Sequence, residues 1–103
     1  MGTRRILPHM TGTETRHNRD ESRYEGWVDG ALAGFAAYEL DGPRIVFTHT
    51  EVDDAYEGTG VGSAIARGAL DNVREQGNLR VVSRCAFITS WIDQHPDYQD
   101  LVH

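Results

Sequence analysis

Lysine is absent from this 103-residue sequence, and all ten of its basic residues are arginine. The absence excludes a Walker A loop, whose lysine must contact the nucleotide phosphates. It also excludes Schiff-base catalysis by a side-chain amine. A phosphate-binding loop in this chain would therefore have to depend mostly on backbone N–H groups.

Cysteine is nearly absent as well, because Cys85 is the single one in the chain. One cysteine cannot form an intramolecular disulfide, and it cannot supply a structural metal site built on several thiolates. His9, His17 and His103 have no partners at the spacing of metal ligands. We therefore predict that the protein holds no metal.

Long apolar runs are also missing. No window approaches the ~18 consecutive apolar residues of a membrane-spanning helix, and the N-terminus has no apolar run long enough for a signal peptide. We therefore predict a disordered leader at residues 1–10, one domain at residues 11–103, a cytoplasmic location and no membrane partner.

The sequence has no cluster of basic residues, and its net charge is −6. This argues against a nucleic-acid partner, since nucleic-acid binding depends on clustered cations that neutralise phosphates. A negative chain mildly favours cationic partners such as amines or basic tails, although charge of this kind also serves solubility alone.

The first half of the domain has the pattern of an antiparallel meander. Runs at 24–28, 31–40 and 44–52 are rich in β-branched and aromatic residues and are separated by turn signals. Asp29-Gly30 is a strong signal for a hairpin turn, and 41–43 forms the next turn. A weaker strand is predicted at 13–17.

The second half begins with a helix, because Val61, Ile65, Leu70 and Val73 recur at helical spacing. A strand is predicted at 79–83, and in the mixed tail Pro96 can start a last short helix. This order predicts an α+β fold, with one main helix packed on a mainly antiparallel sheet. The large aromatic residues are predicted to fill its core: Trp27, Trp91, Phe35, Phe47, Phe87 and Tyr38.

Glycines alternate at positions 58, 60 and 62, immediately before the main helix. Glycine lets the backbone turn tightly and approach a ligand closely. The first N–H groups of a helix have no internal partner and lie at the positive end of its dipole, so phosphates bind there readily. Taken alone, the pattern also fits a plain strand-to-helix turn, and it differs from the G-x-G-x-x-G dinucleotide motif.

This segment resembles the acetyl-CoA-binding motif of the GNAT superfamily of N-acetyltransferases, [Q/R]-x-x-G-x-[G/A]. Glu57 stands at its first position, Gly60 at its fourth and Gly62 at its sixth. A short, stand-alone subgroup of GNAT-like proteins resembles the chain further at 47–52, around Cys85 and at 95–98. The resemblance covers about residues 14–102.

The resemblance implies a minimal GNAT-like fold with a twisted sheet, one main CoA-binding helix and short C-terminal helices. Acetyl-CoA would be the cosubstrate, with its diphosphate on the amides of the glycine loop and its pantetheine arm on the end of the preceding strand. The implied cofactor-binding residues are Val52, Gly58, Thr59, Gly60, Val61, Gly62 and Ser63.

Two positions depart from the superfamily pattern. Glu57 replaces the usual Gln or Arg and brings a negative charge near the phosphates, so we expect its side chain to be structural or directed away from the ligand. The glutamate base of histone-acetylating members corresponds to a position near Val46. The general base therefore cannot be carried over from the superfamily.

Three residues are candidates for the catalytic chemistry. Cys85 follows the strand at 79–83, which splays from the strand before the loop in the GNAT fold, so it would lie near the acetyl thioester. It could accept the acetyl group, line the site or be a buried core cysteine; the short subgroup implies a catalytic role. His49 and Glu51 lie two apart on one face of a strand and could take the proton of the amine, or His49 could pack within the sheet.

We therefore predict an acetyl-CoA-dependent N-acetyltransferase that acts on an amine, either a small molecule or a protein lysine. The first alternative is a non-catalytic CoA- or acyl-CoA-binding module, since the chain lacks the additional N-terminal helices of full-length GNAT enzymes. A plain interaction domain is the second alternative.

Overall fold

A computed structural model describes residues 12–102, and the leader predicted at residues 1–10 lies outside that range. The elements follow in the order β1 (Glu14–Asn18), β2 (Arg23–Val28), β3 (Ala31–Asp41), β4 (Arg44–Val52), α1 (Val61–Gln76), β5 (Arg80–Ser83) and α2 (Ala86–Asp93). Two 3-10 helices lie at Asp54–Tyr56 and Pro96–Leu101. Among residues 12–102, no helix is long and apolar enough to cross a membrane.

The five strands form one sheet in the order of the chain. Neighbouring strands are antiparallel except β4 and β5, which are parallel. The turn between β2 and β3 consists of Asp29 and Gly30, both at positive φ (51° and 82°), as the tightest hairpin turns require. The predicted α+β fold with a mainly antiparallel sheet is confirmed.

Both helices pack on one face of the sheet, which we call the covered face. Its strands contribute Tyr24, Ile45 and Phe47, each at most 1% exposed, and they share one core with Ile65 and Leu70 of α1. Residues Ile88, Trp91 and Ile92 of α2 belong to the same core. The apolar residues that recur at helical spacing in α1 therefore form its buried face, as the spacing predicts.

The opposite face, which we call the open face, has no helix over it in the part of the chain that the structure describes. Side chains alternate between the two faces along a strand, and the cross-strand register places two rows here. One row is Arg23, Ala37 and His49, and the other is Glu25, Phe35 and Glu51.

The sheet opens between β4 and β5. These strands pair only over 44–47 and 80–83. The last backbone contact is the amide of Arg84, which donates to the carbonyl oxygen of Phe47 at 2.8 Å. The chain then turns into α2. Residues 48–52 of β4 consequently have no strand partner on this side among residues 12–102, and the last of them, Val52, lies beside the glycine loop.

Candidate active site

The glycine loop has a backbone conformation that explains its sequence. Gly58 and Gly60 lie at φ values of 78° and 93°, and Gly60 is the N-cap of α1. Residues with a side chain rarely adopt such positive φ angles, whereas glycine adopts them readily. A Cβ atom added at either glycine would meet no other atom within 4 Å. These two glycines are therefore required by the turn, and the space beside them is open.

Several amides of this segment donate no hydrogen bond to any residue in the range 12–102. The next amide along the helix, that of Ala64, donates to the carbonyl oxygen of Gly60 at 3.0 Å. The unbonded amides lie at the positive end of the α1 dipole, where anions are stabilised. They belong to Gly58, Gly60, Val61, Gly62 and Ser63.

Thr59 differs from its neighbours in the loop. Its amide donates to the carbonyl oxygen of Tyr56 at 3.2 Å, and its hydroxyl donates to the same oxygen. Both polar groups thus brace the turn after the first 3-10 helix. Of the seven residues predicted to bind the cosubstrate, Thr59 is the one that does not line the cleft described next.

A cleft of about 540 Å³ runs between the glycine loop and α2. One wall comprises the loop, the start of α1 and Val52, which ends β4. The opposite wall is made of the α2 side: Phe87, Trp91, Gln94 and His95. Phe87 is 41% exposed, so the prediction that it fills the core is wrong. It is also wrong for Trp27 and Phe35, which are partly exposed and lie outside the core. The Phe87 ring instead lies 3.0 Å from where a Cβ of Gly62 would stand.

The two walls are joined by a hydrogen bond. The indole Nε1 of Trp91 donates to the hydroxyl oxygen of Ser63 at 2.8 Å. Trp91 is 5% exposed, so this bond also satisfies its buried N–H group. The width of the cleft at this point is therefore fixed by contacts within the protein.

Glu57 lines the cleft and is exposed to solvent. Its backbone N–H donates to the carbonyl oxygen of Asp54 at 3.3 Å, while Glu57 itself ends the first 3-10 helix. Among residues 12–102, its carboxylate has no hydrogen-bond or ion-pair partner. The expectation that this side chain is structural therefore gains no support from its contacts.

Cys85 is the N-cap of α2 and is 7% exposed. Its Sγ lies 3.3 Å from the Oγ1 of Thr50, across the opening between β4 and β5. Thr50 is not among the candidates named from the sequence. Because Thr50 stands between His49 and Glu51, its side chain lies on the opposite face of β4 from theirs. The thiol thus lies where the sheet splays, close to β4.

His49 and Glu51 form a pair on the open face. The Nε2 of His49 lies 2.9 Å from the Oε2 of Glu51, and both side chains are more than half exposed. The His49 and Phe35 rings are in a T-shaped arrangement, with 6.2 Å between ring centroids. The structure therefore brings the two predicted bases together but separates them from Cys85, which lies on the other face of β4.

Two further results limit the chemistry of the site. Val46, near which the resemblance puts the glutamate base of histone-acetylating superfamily members, is apolar and 5% exposed, so it cannot exchange a proton. Among residues 12–102, no group of three or more His, Cys, Asp or Glu side chains converges in a way that could hold a metal ion.

The splayed sheet and the glycine loop before α1 define a small α+β domain of the N-acetyltransferase class. Residues 23–101 match the family model described as GCN5-related N-acetyl-transferase. The chain therefore belongs to the GCN5-related N-acetyltransferase family.

Its relatives have similar lengths. The chain is 42% identical over 100 residues to Protein NATD1 of chicken (Gallus gallus), covering 95% of this chain and 90% of that protein. Protein NATD1 of cattle (Bos taurus) is 43% identical over 84 residues, covering 81% of this chain and 71% of the relative. A GCN5-like protein of Staphylococcus aureus has a similar fold, with a TM-score of 0.66, 24% identity and 89% of each chain covered.

Proposed function

We propose that the protein transfers the acetyl group of acetyl-CoA to an amine, either a small molecule or a protein lysine. The observation that carries this proposal is the row of unbonded amides at the start of α1, beside the unpaired edge of β4. Such amides suit a diphosphate, and a strand edge suits an extended amide-containing arm. Membership of the family supports acyl transfer.

In this proposal the diphosphate of acetyl-CoA binds the amides of Gly58, Gly60, Val61, Gly62 and Ser63. The pantetheine arm follows β4 past Val52 towards Thr50, and the thioester lies near Cys85. The open space beside Gly58 and Gly60 supports the first contact. The opening between β4 and β5 supports the second.

The reaction needs one bond to form and one to break. The nitrogen of a neutral amine attacks the thioester carbonyl, the C–S bond breaks, and CoA leaves as a thiolate. Backbone N–H groups at the splayed strand would stabilise the oxyanion that develops. We assign the amine proton to the His49–Glu51 pair, whose imidazole and carboxylate are 2.9 Å apart.

Cys85 has two candidate roles in this reaction. Its thiol can protonate the departing CoA thiolate, or its sulfur can accept the acetyl group before the amine does. Intact-mass measurement after incubation with acetyl-CoA separates them. An acetyl adduct on the wild type that is lost in Cys85→Ala supports the covalent route. Turnover without an adduct that falls in Cys85→Ala supports proton donation, whereas unchanged turnover in Cys85→Ala assigns Cys85 to packing alone.

Two glycines at opposite ends of α1 provide a matched test of the cosubstrate site. Gly60 and Gly77 both have positive φ (93° and 75°), and neither has an atom within 4 Å of an added Cβ. Leucine at either position strains the backbone in the same way. We expect Gly60→Leu to lose CoA affinity at least about tenfold in calorimetry, while Gly77→Leu keeps it. Equal affinity in both variants refutes the site.

The rival function is a CoA-binding module without catalysis. The separation of His49 and Glu51 from Cys85 by β4 favours this rival. Release of free CoA thiol over a broad panel of amines decides between the two functions. Tight CoA binding with no thiol release for any amine supports the module and overturns the enzyme.

A further inference from the structure

His95 lies at the outer end of the cleft and has no part in the reaction proposed above. Its ring stacks on the Trp91 indole, with 3.7 Å between centroids and 10° between planes. Its Nδ1 is 2.6 Å from the carbonyl oxygen of Trp91, and a carbonyl can only accept, so Nδ1 is the donor. The imidazole is thereby held in one orientation. Nε2 is its remaining polar atom, and it can donate a hydrogen bond when the ring is in its protonated form.

The segment that carries His95 is anchored to α1. The hydroxyl of Tyr98 donates to Asp71 at 2.7 Å, and Arg67 donates to that hydroxyl at 3.1 Å. Arg74 binds the carboxylate of Asp100 at 2.8 and 2.9 Å. The position of His95 relative to the glycine loop is therefore set in two regions: by its own contacts with Trp91, and by the contacts of the last 3-10 helix with α1.

The cleft is poor in positive charge. Of the residues that line it, only Glu57 is acidic and only His95 is basic. The chain has no lysine, and no arginine lines the cleft. His95 is therefore the one lining side chain that can offer a charge-assisted hydrogen bond to a phosphate.

The order of residues along the α2 wall corresponds to the order of chemical groups in CoA. Cys85 lies at the splayed strands, as the N-cap of α2 and outside the cleft lining. Along α2, Phe87 then contacts Gly62 of the glycine loop, and Trp91 binds Ser63. His95 comes next, beyond the ~12 Å length of α2. If the thioester lies at Cys85 and the diphosphate at the loop, the adenosine and its 3′-phosphate lie at the His95 end.

We propose that the Nε2 of His95 binds the 3′-phosphate of CoA, so that the α2 wall recognises the nucleotide end of the cosubstrate. This inference rests on the proposed acetyl-CoA site. It assigns to His95 a role in binding and in the distinction between CoA and its dephosphorylated form.

Calorimetry with CoA and with dephospho-CoA, which lacks only the 3′-phosphate, tests the proposal. We expect the wild type to bind CoA about tenfold more tightly than dephospho-CoA. His95→Phe keeps a ring to stack on Trp91 but has no nitrogen. It should bind both ligands with the affinity that the wild type has for dephospho-CoA. His95→Gln offers an amide donor and should restore part of the preference.

The outcomes distinguish this proposal from the one on which it rests. A wild type that binds CoA and dephospho-CoA equally overturns the role of His95 and leaves the acetyl-CoA site intact. The same holds if His95→Phe, with an unchanged melting temperature, keeps the preference. A wild type that binds neither ligand overturns both proposals.

Discussion

The two faces of the sheet are stabilised by different interactions. On the covered face, Tyr24, Ile45 and Phe47 are at most 1% exposed and pack against α1. On the open face, charged and aromatic side chains contact one another, since no helix among residues 12–102 lies over them. Burial of apolar area stabilises the first face, whereas hydrogen bonds and cation–π contacts stabilise the second.

Glu25 lies on β2 at the open face and is only 5% exposed. Its carboxylate accepts hydrogen bonds from Asn18 at 2.8 Å, from Arg23 at 2.8 Å and from Trp27 at 3.0 Å. The Arg23 guanidinium lies 4.7 Å from the centroid of the Phe35 ring. The open face is therefore an ordered structure, and a buried charge holds its side chains together.

The difference between the faces also divides the proposed function. The cleft, the glycine loop and Cys85 lie on the covered side with the helices. The His49–Glu51 pair lies on the open side. An acceptor that gives its proton to this pair would reach the thioester through the opening between β4 and β5.

The largest expected effect comes from truncating one phenylalanine on each face. Phe47 is fully buried on the covered face, and Phe47→Ala should lower the free energy of unfolding by about 3–5 kcal/mol. Phe35 is half-buried on the open face, and Phe35→Ala should cost about 1–2 kcal/mol, since it loses less burial and one cation–π contact. Urea denaturation measures both losses in the free energy of unfolding. Equal losses would contradict the difference between the covered face and the open face.

The next effect concerns the buried charge of the open face. In Glu25→Gln, the N–H donors of Asn18, Arg23 and Trp27 face one neutral amide oxygen and one NH2 group, which cannot accept their hydrogen bonds. We expect a loss of about 2 kcal/mol at pH 7 by urea denaturation. Glu39→Gln, at an exposed position of β3, is the control and should change stability little. A loss at Glu39 as large as at Glu25 would contradict this account.

The same carboxylate predicts a pH dependence. Burial acts to raise the pKa of Glu25, but the hydrogen bonds from Asn18, Arg23 and Trp27 outweigh it and hold the pKa below its usual value. As the pH falls, the carboxylate of Glu25 is therefore protonated in the unfolded chain at a higher pH than in the folded protein. The stabilisation is present above pH about 4.5 and is lost below it. Glu25→Gln should lack this part of the acid-induced loss.

Much of the fold could be predicted from local sequence patterns. The Asp29-Gly30 turn, the apolar spacing of α1 and the glycines at 58, 60 and 62 each depend on residues close together in the chain. The structure confirms the meander, the main helix and the last short helix. It also confirms the strand at 79–83, which begins one residue later as β5.

Contacts between distant residues were harder to predict. Arg67, Asp71 and Arg74 fit the solvated side of an amphipathic helix, yet they bind Tyr98 and Asp100 of the last 3-10 helix. The partners are 26 to 31 residues apart in the chain. A periodic pattern of residues within one helix cannot predict pairs at that distance. The α2 wall of the cleft was missed for this reason.

The candidate site shows the same limit. Period-2 alternation correctly paired His49 with Glu51. It could not show that Thr50 contacts Cys85, because that contact depends on where α2 begins relative to β4. The seven predicted cofactor-binding residues follow from the resemblance, and of these Thr59 is turned into the loop by its bonds to Tyr56.

The smallest effect on stability should come from Glu51→Gln, and this variant tests the division of function between the faces. The His49–Glu51 pair is exposed, so its loss should change the free energy of unfolding by about 0.5 kcal/mol or less. Turnover with an amine should fall about a hundredfold, because the proton acceptor is weakened. CoA affinity should not change, because the pair does not line the cleft. Unchanged turnover in thiol-release assays would remove the pair from the reaction, and weakened CoA binding in calorimetry would show that the open face takes part in holding the cosubstrate.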